Sequence, residues 1–270
     1  MVHAKKSLGQ NFLNSKTVAR DIVRAAELLP ADTVLEIGPG KGFLTSGLLE
    51  SGACVIAVEK DDRMIPLLSE KFAEEIKKKQ LTLIHGDIIE LGIKPLGLPP
   101  HYKLVANIPY YLTGLIIRTF LEALEKPERM ILMLQKEVAQ RIVASDKKES
   151  ILSIAVKAYG TPKMVKKVPA RYFTPAPKVD SAILAILNIS GKNFVDEISE
   201  KRFFEILRTG FAHKRKFLAG NLKELFDSQT VAILQNAAVP LNARAEDLTL
   251  KQWLTLAEGA GRSIISILEE

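Results

Sequence analysis

The residues best placed to do chemistry stand in one short run, Asn107-Ile108-Pro109-Tyr110, directly after an apolar segment. Asn107 offers an amide oxygen, and the backbone carbonyl of Pro109 offers a second acceptor whose direction the proline ring restricts. Two such acceptors can hold both N–H protons of an aromatic amine and turn its lone pair toward an electrophile, while Tyr110 stacks on the ring. This is electrostatic preorganisation and requires no strong base. The same letters alone also fit an Asx turn before proline, so the surrounding elements must decide.

A glycine-rich turn lies earlier in the chain, within the run VLEIGPGKGFLT from Val34 to Thr45. Its glycines, Gly38, Gly40 and Gly42, let the backbone turn sharply and approach a ligand. In a doubly wound α/β sheet, such a turn lies at the carboxyl ends of the strands, where ligands bind. The G-x-G-x-G spacing is one residue shorter than the dinucleotide fingerprint, and the preceding Glu36 suits a cation. The turn alone leaves three interpretations open: an S-adenosylmethionine site, a dinucleotide site and a purely structural turn.

Two acidic residues follow the glycine turn, each at the end of a short apolar run. Glu59 stands about 20 residues beyond Gly38, where an acid can accept hydrogen bonds from both hydroxyls of a ribose. Asp87 can accept from an adenine amine, while Ile88 packs on the ring. Each acid alone is also explained as a surface residue at a strand end. Their order along the chain favours one site for a nucleoside-like cofactor.

The elements that must position these residues alternate between short apolar runs and amphipathic stretches. The pattern predicts strands at Thr33–Ile37, Val55–Val58, Leu81–Ile84, Leu104–Ala106 and Arg129–Leu134, and helices at Asn14–Leu29, Leu44–Ser51, Met64–Lys79, Leu115–Leu124 and Glu137–Ala144. Strands that alternate with helices predict a parallel sheet with both faces covered. The glycine turn, both acids and the Asn-Ile-Pro-Tyr run would then share one edge of that sheet.

The rest of the chain changes character. Ser153–Tyr159, Lys163–Val168 and Ser181–Leu187 have the composition of strands joined by short turns, and we expect them to extend the sheet with antiparallel pairing. From Asp196 onward the pattern is purely helical. A composition break at Asn188–Phe194 therefore predicts two domains, an α/β domain at 1–190 and a small all-α domain at 194–270.

Composition narrows the classes of function. The 270 residues carry a net charge of +7, and the stretch from Lys157 to Lys178 contains six basic residues and no acid. This stretch is a candidate rim for phosphates, with an ordinary solvated surface as the alternative. The single Cys54 excludes a disulfide framework, and the four scattered histidines predict no metal site. With no apolar run of about 18 residues and no apolar N-terminal segment, we expect a cytoplasmic protein without a membrane span.

Motifs along nearly the whole chain resemble the KsgA-type family of ribosomal RNA small-subunit adenine N6,N6-dimethyltransferases. The matching motifs are SLGQNFL (Ser7–Leu13), EIGPGKGFLT (Glu36–Thr45), VEKD (Val58–Asp61), GDI (Gly86–Ile88), NIPYYL (Asn107–Leu112), LQKEVAQR (Leu134–Arg141), FTPAPKVDSA (Phe173–Ala182), FAHKRKFLAGNL (Phe211–Leu222) and ARAEDLTLKQW (Ala243–Trp253). The resemblance implies the Rossmann-like α/β sheet of class I methyltransferases with a small all-α C-terminal domain. It also implies S-adenosylmethionine as the methyl donor.

The resemblance further implies roles for single residues and a substrate. The expected catalytic residues are Asn107, Pro109, Tyr110 and Phe173, and the expected cofactor-binding residues are Asn11, Leu13, Gly38, Glu59, Asp87 and Asn107. Phe173 would stack on the target adenine opposite Tyr110, with an ordinary core phenylalanine as the alternative. The expected reaction dimethylates two adjacent adenosines near the 3′ end of small-subunit rRNA. A partly assembled small ribosomal subunit is the expected partner, and the protein is expected to be a monomer.

Some features leave alternatives. An Erm-type enzyme that methylates large-subunit rRNA shares several of these motifs, and a non-catalytic ribosome assembly factor could retain the fold. A nicotinamide-dependent dehydrogenase would leave the Asn-Ile-Pro-Tyr run unexplained. The chain has Ile108 where the family often has Leu, and the segment 145–152 replaces a loop usually rich in Gly and Ser. The basic cluster Lys214–Lys216 is expected to contact rRNA phosphates, or else to be a solvated helix face.

Overall fold

The computed structural model describes residues 4–5 and 8–268, with side chains described as far as residue 259. Ser7, the first residue of the SLGQNFL motif, lies outside the described residues. The chain divides into two compact units, Met1–Ala139 with Thr161–Ile189, and Gln140–Gly160 with Ser190–Glu270. The segment Gln140–Gly160 thus groups with the C-terminal helices, whereas the sequence pattern places all of 1–190 in one domain.

The first unit is built on a mixed β-sheet. Its strands are β1 (Phe12–Leu13), β2 (Thr33–Ile37), β3 (Cys54–Glu59), β4 (Leu81–His85), β5 (Lys103–Asn107), β6 (Arg129–Gln135), β7 (Thr161–Val168), β8 (Phe173–Thr174) and β9 (Ser181–Leu187). Seven of them form one sheet in the order β4-β3-β2-β5-β6-β9-β7, and β1 pairs with β8. Neighbours from β4 to β6 run parallel, and β9 lies antiparallel between β6 and β7. The expected parallel sheet is therefore confirmed, and its antiparallel extension is confirmed for two of the three predicted segments, Lys163–Val168 and Ser181–Leu187.

The register of the sheet explains why distant motifs meet. β2 lies between β3 and β5, and Ile37 is opposite both Val58 and Ala106. The residues that end these strands or follow them therefore emerge at one edge. In a doubly wound sheet, this edge beside the reversal of strand order is where ligands bind.

Helices cover the sheet. Those of the first unit are α1 (Lys16–Ala26), α2 (Phe43–Glu50), α3 (Met64–Lys71), α4 (Ala73–Lys77), α5 (Ile88–Leu91) and α6 (Thr113–Leu121), and α7 (Lys136–Val143) leads into the second unit. The amphipathic α1 buries Val18, Ala19, Ile22 and Ala26. The predicted helix Met64–Lys79 is interrupted at Phe72, which leaves helical geometry at φ −115° and ψ 29°.

One predicted strand is wrong, because Ser153–Tyr159 lies in the helix α8 (Ile151–Tyr159). Its buried residues are Ser153, Ile154, Val156, Ala158 and Tyr159, and a short apolar run cannot be assigned from the sequence by periodicity alone. The deciding signal is a capping box. The Ser150 hydroxyl accepts from the Ser153 amide at 3.1 Å, and the Ser153 hydroxyl accepts from the Ser150 amide at 2.6 Å.

The described residues of the second unit form helices joined by loops. Besides α8 it contains α9 (Glu197–Gly210), α10 (Leu218–Phe226), α11 (Thr230–Asn236) and α12 (Leu250–Leu268). Trp253 is fully buried, and its ring stacks on Phe211 with centroids 5.6 Å apart. A Cβ on Gly210 would stand 2.4 Å from the Trp253 ring, so only glycine fits there. Among the described residues, no helix is both long and apolar enough to cross a membrane.

Candidate active site

A single cleft at the carboxyl edge of the sheet collects the residues singled out by the sequence. About 1070 Å³ of space lies between its atoms, a figure that includes open solvent at its mouth. All predicted site residues line it, namely Asn11, Leu13, Gly38, Glu59, Asp87, Asn107, Pro109, Tyr110 and Phe173. The cleft therefore brings the predicted cofactor-binding and catalytic residues together around one space.

The glycine turn forms one wall of the cleft. Gly38, Gly40 and Gly42 have φ angles of 69°, 56° and 68°, in the left-handed region that favours glycine. No atom lies within 4 Å of the position that a Cβ on Gly38 would take, so a ligand can approach the backbone there. A Cβ on Gly40 would stand 3.0 Å from the ring of Phe12. The N-terminal segment therefore packs directly on this turn.

Glu59 is held by backbone amides on both sides. Its Oε2 accepts from the Gly40 amide at 2.8 Å, and its Oε1 accepts from the Asp61 amide at 2.8 Å. Burial of the side chain raises the pKa of Glu59, although these two hydrogen bonds act in the opposite direction. Each carboxylate oxygen keeps a lone pair, so Glu59 can still accept from two hydroxyl groups of one ligand.

Asp87 caps helix α5 and carries an unexpected partner. Its Oδ1 accepts from the Ile89 amide at 2.9 Å, and its Oδ2 accepts from Lys60 Nζ at 2.5 Å. Burial acts to raise the pKa of Asp87, but the bonds from Lys60 and Ile89 outweigh it and the pKa is lowered. Asp87 is therefore an ionised acceptor. The Lys60 side chain is half-exposed.

Glu36 supplies a buried carboxyl group at the cleft wall. Burial raises its pKa to about 8, and the nearby Glu59 carboxylate adds to this effect. Its Oε2 is buried and has no hydrogen-bond partner among the described residues. An unpaired buried oxygen calls for an explanation, and Glu36 is among the residues that line the cleft. With the open face of Gly38 and the two acceptors of Glu59, Glu36 fits a ligand that has ribose hydroxyls and positive charge, as S-adenosylmethionine has.

Asn107 ends β5 with its side chain half-buried in the cleft. Its Nδ2 donates to the backbone carbonyl of Asn11 at 3.1 Å. Since that carbonyl takes up the amide nitrogen, Oδ1 remains available as an acceptor for a ligand. This is the orientation that binding an amine requires.

The turn after Asn107 offers two backbone carbonyls. The Pro109 carbonyl already accepts from the Leu112 amide at 2.9 Å, so one of its two lone pairs is taken. The Ile108 carbonyl accepts no hydrogen bond from the described residues. Sequence reasoning assigned the second acceptor to Pro109, whereas the turn leaves more acceptor capacity one residue earlier.

The two aromatic residues are fixed from different parts of the chain. The Tyr110 hydroxyl lies 2.8 Å from the Oγ of the buried Ser181, the first residue of β9. Phe173 is 4% exposed and lies opposite Leu13 in the pairing of β1 with β8. It is both part of the hydrophobic core and part of the cleft wall. A core position therefore does not exclude the predicted stacking of Phe173 on a base.

Comparison with known proteins identifies the family to which this fold and cleft belong. The sequence profile of a family described as ribosomal RNA adenine dimethylase matches residues 1–260. The chain belongs to this family. Among curated relatives, the ribosomal RNA small subunit methyltransferase A of Dehalococcoides mccartyi strain CBDB1 is 43% identical, over 94% of this chain and 87% of the relative. That of Thermosynechococcus vestitus is 41% identical, over 96% of this chain and 97% of the relative.

Solved structures agree with the family. A dimethyladenosine transferase from Plasmodium falciparum superposes with a TM-score of 0.78 and 27% identity, covering 91% of this chain and 95% of that one. The 23S rRNA methyltransferase ErmE superposes with a TM-score of 0.77 and 27% identity, covering 93% and 100%. The predicted family and the class I methyltransferase fold are confirmed. The enzyme transfers methyl groups from S-adenosylmethionine to adenine in ribosomal RNA.

Several residues that shape the cleft escaped sequence reasoning. Ser181 orients Tyr110, Lys60 binds Asp87, and Gln10 donates to Asp61 at 2.8 Å. All of them lie inside the motifs that carried the resemblance, so motif membership was an available signal. Their partners are 27 to 71 residues away along the chain, and only the fold shows which pairs meet.

The basic residues are more dispersed than the sequence suggested. Lys157 belongs to the second unit and forms an ion pair with Glu149. In the first unit, Lys166 of β7 lies 2.5 Å from Asp21, so both cations are partly neutralised. The cluster Lys214–Lys216 is exposed in the loop between α9 and α10, which corrects the alternative of a helix face. A loop presents its side chains more freely to a polyanion than a packed helix does.

Proposed function

We propose that the enzyme dimethylates adenosines in the RNA of the small ribosomal subunit, using the cleft at the carboxyl edge of the sheet. The observation that carries the proposal is the side chain of Asn107. Its amide nitrogen is taken up by the Asn11 carbonyl at 3.1 Å, and its oxygen is left for a substrate in the same cleft as the glycine turn and Glu59. An acceptor for an amine and a site for a methyl donor thus share one cavity.

The cofactor end of the cleft would hold S-adenosylmethionine, which supplies an electrophilic methyl group on a positively charged sulfur. Glu59 accepts from the ribose hydroxyls, and Asp87 accepts from the adenine amine when Lys60 moves aside. Asn11 and Leu13 close the cleft from the N-terminal segment. Gly38 keeps the backbone open to the ligand, because it has no side chain in the way.

The base end of the cleft would hold the target adenine. The Oδ1 of Asn107 and a carbonyl of the Ile108-Pro109 turn accept its two N–H protons, which leaves the nitrogen lone pair free to attack. Tyr110 and Phe173 grip the unstacked base between their rings, as in other enzymes that act on extruded bases. These groups stabilise charge and direction, and no side chain needs to act as a strong base.

The names of the relatives favour the small subunit as the source of the RNA. Relatives 37–43% identical carry the name small subunit methyltransferase A, whereas the 23S enzyme ErmE is 27% identical. The loop Lys214–Lys216 offers Arg215 for bidentate contacts with phosphates. We expect two adjacent adenosines near the 3′ end as targets, a partly assembled subunit as partner, and a monomeric enzyme.

Labelled S-adenosylmethionine offered with unmodified small subunits, large subunits and naked RNA tests this proposal. Mass spectrometry of the digested nucleosides identifies the product. We expect dimethyladenosine from small subunits alone. Label in large subunits alone would make the enzyme Erm-like, and label in cytosine would overturn the assignment of the base. Calorimetry with S-adenosylmethionine separates an enzyme from a binding-only assembly factor, which need not bind the cofactor.

A further inference from the structure

Asp61 is a buried carboxylate that the proposed chemistry does not use. It lies two residues beyond Glu59, and its side chain is 0% exposed. The Arg63 side chain forms two hydrogen bonds with this carboxylate: Nε donates to Oδ1 at 2.8 Å, and Nη2 donates to Oδ2 at 2.6 Å. The hydrogen bond with Arg63 holds the pKa of Asp61 far below its ordinary value. The site is therefore a permanent buried anion beside the cleft.

Two residues of the N-terminal segment also bind the Asp61 carboxylate. Gln10 Nε2 donates to Asp61 Oδ2 at 2.8 Å across 51 residues of chain. Lys5 Nζ lies 3.7 Å from Asp61 Oδ1, and the Lys5 amide donates to Gln10 Oε1 at 2.8 Å. The Gln10 amide group is thus engaged at both its nitrogen and its oxygen, which fixes its side chain and the backbone next to it.

The backbone next to Gln10 is the part that meets Asn107. The Asn11 carbonyl accepts from Asn107 Nδ2. A terminal amide turns through a broad, roughly two-fold torsion, and its two ends differ only in being donor or acceptor. If the side-chain amide of Asn107 were rotated by half a turn, its NH2 group would point at the substrate amine. Two hydrogen-bond donors would then face each other. The Asn11 carbonyl therefore decides whether Asn107 presents an acceptor.

We propose that Gln10, anchored on Asp61, is a positioning residue that sets the orientation of the Asn107 side chain through the Asn11 carbonyl. On the other side of Asn11, the pairing of Phe12 and Leu13 with β8 holds the segment. On the N-terminal side of Asn11, the side chain of Gln10 anchors the segment through its hydrogen bond to Asp61. This inference rests on the proposed role of Asn107, and its tests keep the two apart.

Gln10→Met is the first test, because Met keeps the shape of Gln and removes its hydrogen bonds. The matched control is Gln80→Met. Gln80 Nε2 also joins distant segments, at the carbonyls of Leu49 (2.8 Å) and Ala53 (3.2 Å), away from the cleft. We expect both variants to lower the melting temperature by similar amounts. At saturating cofactor and RNA, Gln10→Met should lower kcat about ten-fold, while Gln80→Met stays within two-fold of wild type.

Gln10→Glu is the second test, because the introduced carboxyl group restores a donor only when it is protonated. Once ionised, it would face Asp61, whose other charged neighbours are Arg63, Lys5, Asp62 and Glu59. The Asp61 anion raises the pKa of the introduced group, so its contribution to stability is present at low pH and lost as pH rises. Without cofactor, the melting temperature of Gln10→Glu should therefore rise relative to Gln10→Met as pH falls. The ratio of kcat for Gln10→Glu to kcat for Gln10→Met should likewise rise as pH falls.

The possible results distinguish the role of Asn107 from the role of Gln10. If Asn107→Ala is inactive while Gln10→Met keeps kcat within two-fold, the Asn107 assignment stands and Gln10 is only structural. If Asn107→Ala keeps full turnover, the assignment of Asn107 and this inference both fail. A kcat ratio of Gln10→Glu to Gln10→Met that does not change with pH also overturns the inference.

Discussion

The two ends of the cleft are built in different ways. At the cofactor end, Glu59 and Asp87 accept from backbone amides in the segments that follow β2, β3 and β4, those of Gly40, Asp61 and Ile89, and Asp87 also binds Lys60. At the base end, each group is held by a distant segment. Asn107 depends on Asn11, Tyr110 depends on Ser181, and Phe173 depends on the pairing with β1.

This difference has a physical consequence. The amides that hold Glu59 and Asp87 lie in segments directly after neighbouring strands, 2 to 19 residues away, so these side chains are positioned once β2, β3 and β4 pair. A side chain held across 71 to 96 residues is positioned only when the N-terminal segment and β9 are also in place. We therefore expect damage at the cofactor end to appear in cofactor affinity, and damage at the base end to appear in turnover and RNA affinity.

Asn107→Ala should give the largest effect. It removes the acceptor for the amine, and loss of one such preorganised group costs about 10²–10³-fold in kcat. The cofactor Kd, measured by calorimetry, should change little. The control is Asn14→Ala, which removes another side-chain amide of the N-terminal segment, bonded to Thr174 Oγ1 at 2.8 Å. A parallel loss of cofactor affinity in Asn107→Ala would show that the two ends are not separable.

Glu59→Gln should give the next largest effect, at the opposite end. The amide NH2 of Gln would face a backbone N–H of either Gly40 or Asp61, so one of two buried hydrogen bonds must break. We expect the cofactor Kd to rise about 10–100-fold, while kcat at saturating cofactor falls much less. Asp87→Asn should show the same pattern more weakly, because Asp87 is partnered by the half-exposed Lys60. A fall in kcat without a change in Kd would contradict the division of the cleft.

The contrast between the two ends also explains what the sequence predicts well. Thr33–Ile37 and Ser181–Leu187 match the observed strands residue by residue, and Glu59 and Asp87 stand at or just after strand ends as expected. These features depend on apolar runs and glycine turns that are local in sequence. The roles of Ser181 and Gln10 depend on contacts across the fold, which no local pattern encodes.

The wrong strand at Ser153–Tyr159 has a related cause. From the sequence alone, the short apolar run at Ser153–Tyr159 fits a strand and a short buried helix equally well. The Ser150–Ser153 capping box decides for the helix. The segment predicted as a strand of the first domain is instead a helix, and it lies in Gln140–Gly160, which groups with the C-terminal helices.

Phe173→Leu should give a smaller, mixed effect, since Phe173 is both core and cleft wall. Loss of one stacking face predicts about a ten-fold rise in KM for RNA, from roughly 1–3 kcal/mol per stacked base. The smaller core side chain also lowers stability by about 1 kcal/mol. Phe120→Leu is the matched control, because Phe120 is fully buried on α6 and does not line the cleft. Equal KM values for RNA in the two variants would show that Phe173 acts only as a core residue.

Glu36→Gln should give the smallest effect, visible as a change in how stability depends on pH. Burial raises the pKa of Glu36 from its ordinary 4.5 to about 8, so the folded chain keeps a proton that the unfolded chain releases above about pH 4.5. Stability therefore falls as pH rises between these two values. Gln stays neutral and escapes this loss.

The melting temperature of Glu36→Gln relative to wild type should thus increase from about pH 5 to about pH 9. Glu50→Gln, at the exposed end of α2, should show no such trend. Because Glu36 lines the cleft with an unpaired oxygen, a bound cation should favour its charged form. Wild type should then release part of a proton when it binds S-adenosylmethionine near neutral pH, measurable as a buffer-dependent heat that Glu36→Gln lacks. Identical pH profiles for wild type and Glu36→Gln would place an ionised Glu36 in the folded protein and remove it from the cofactor end.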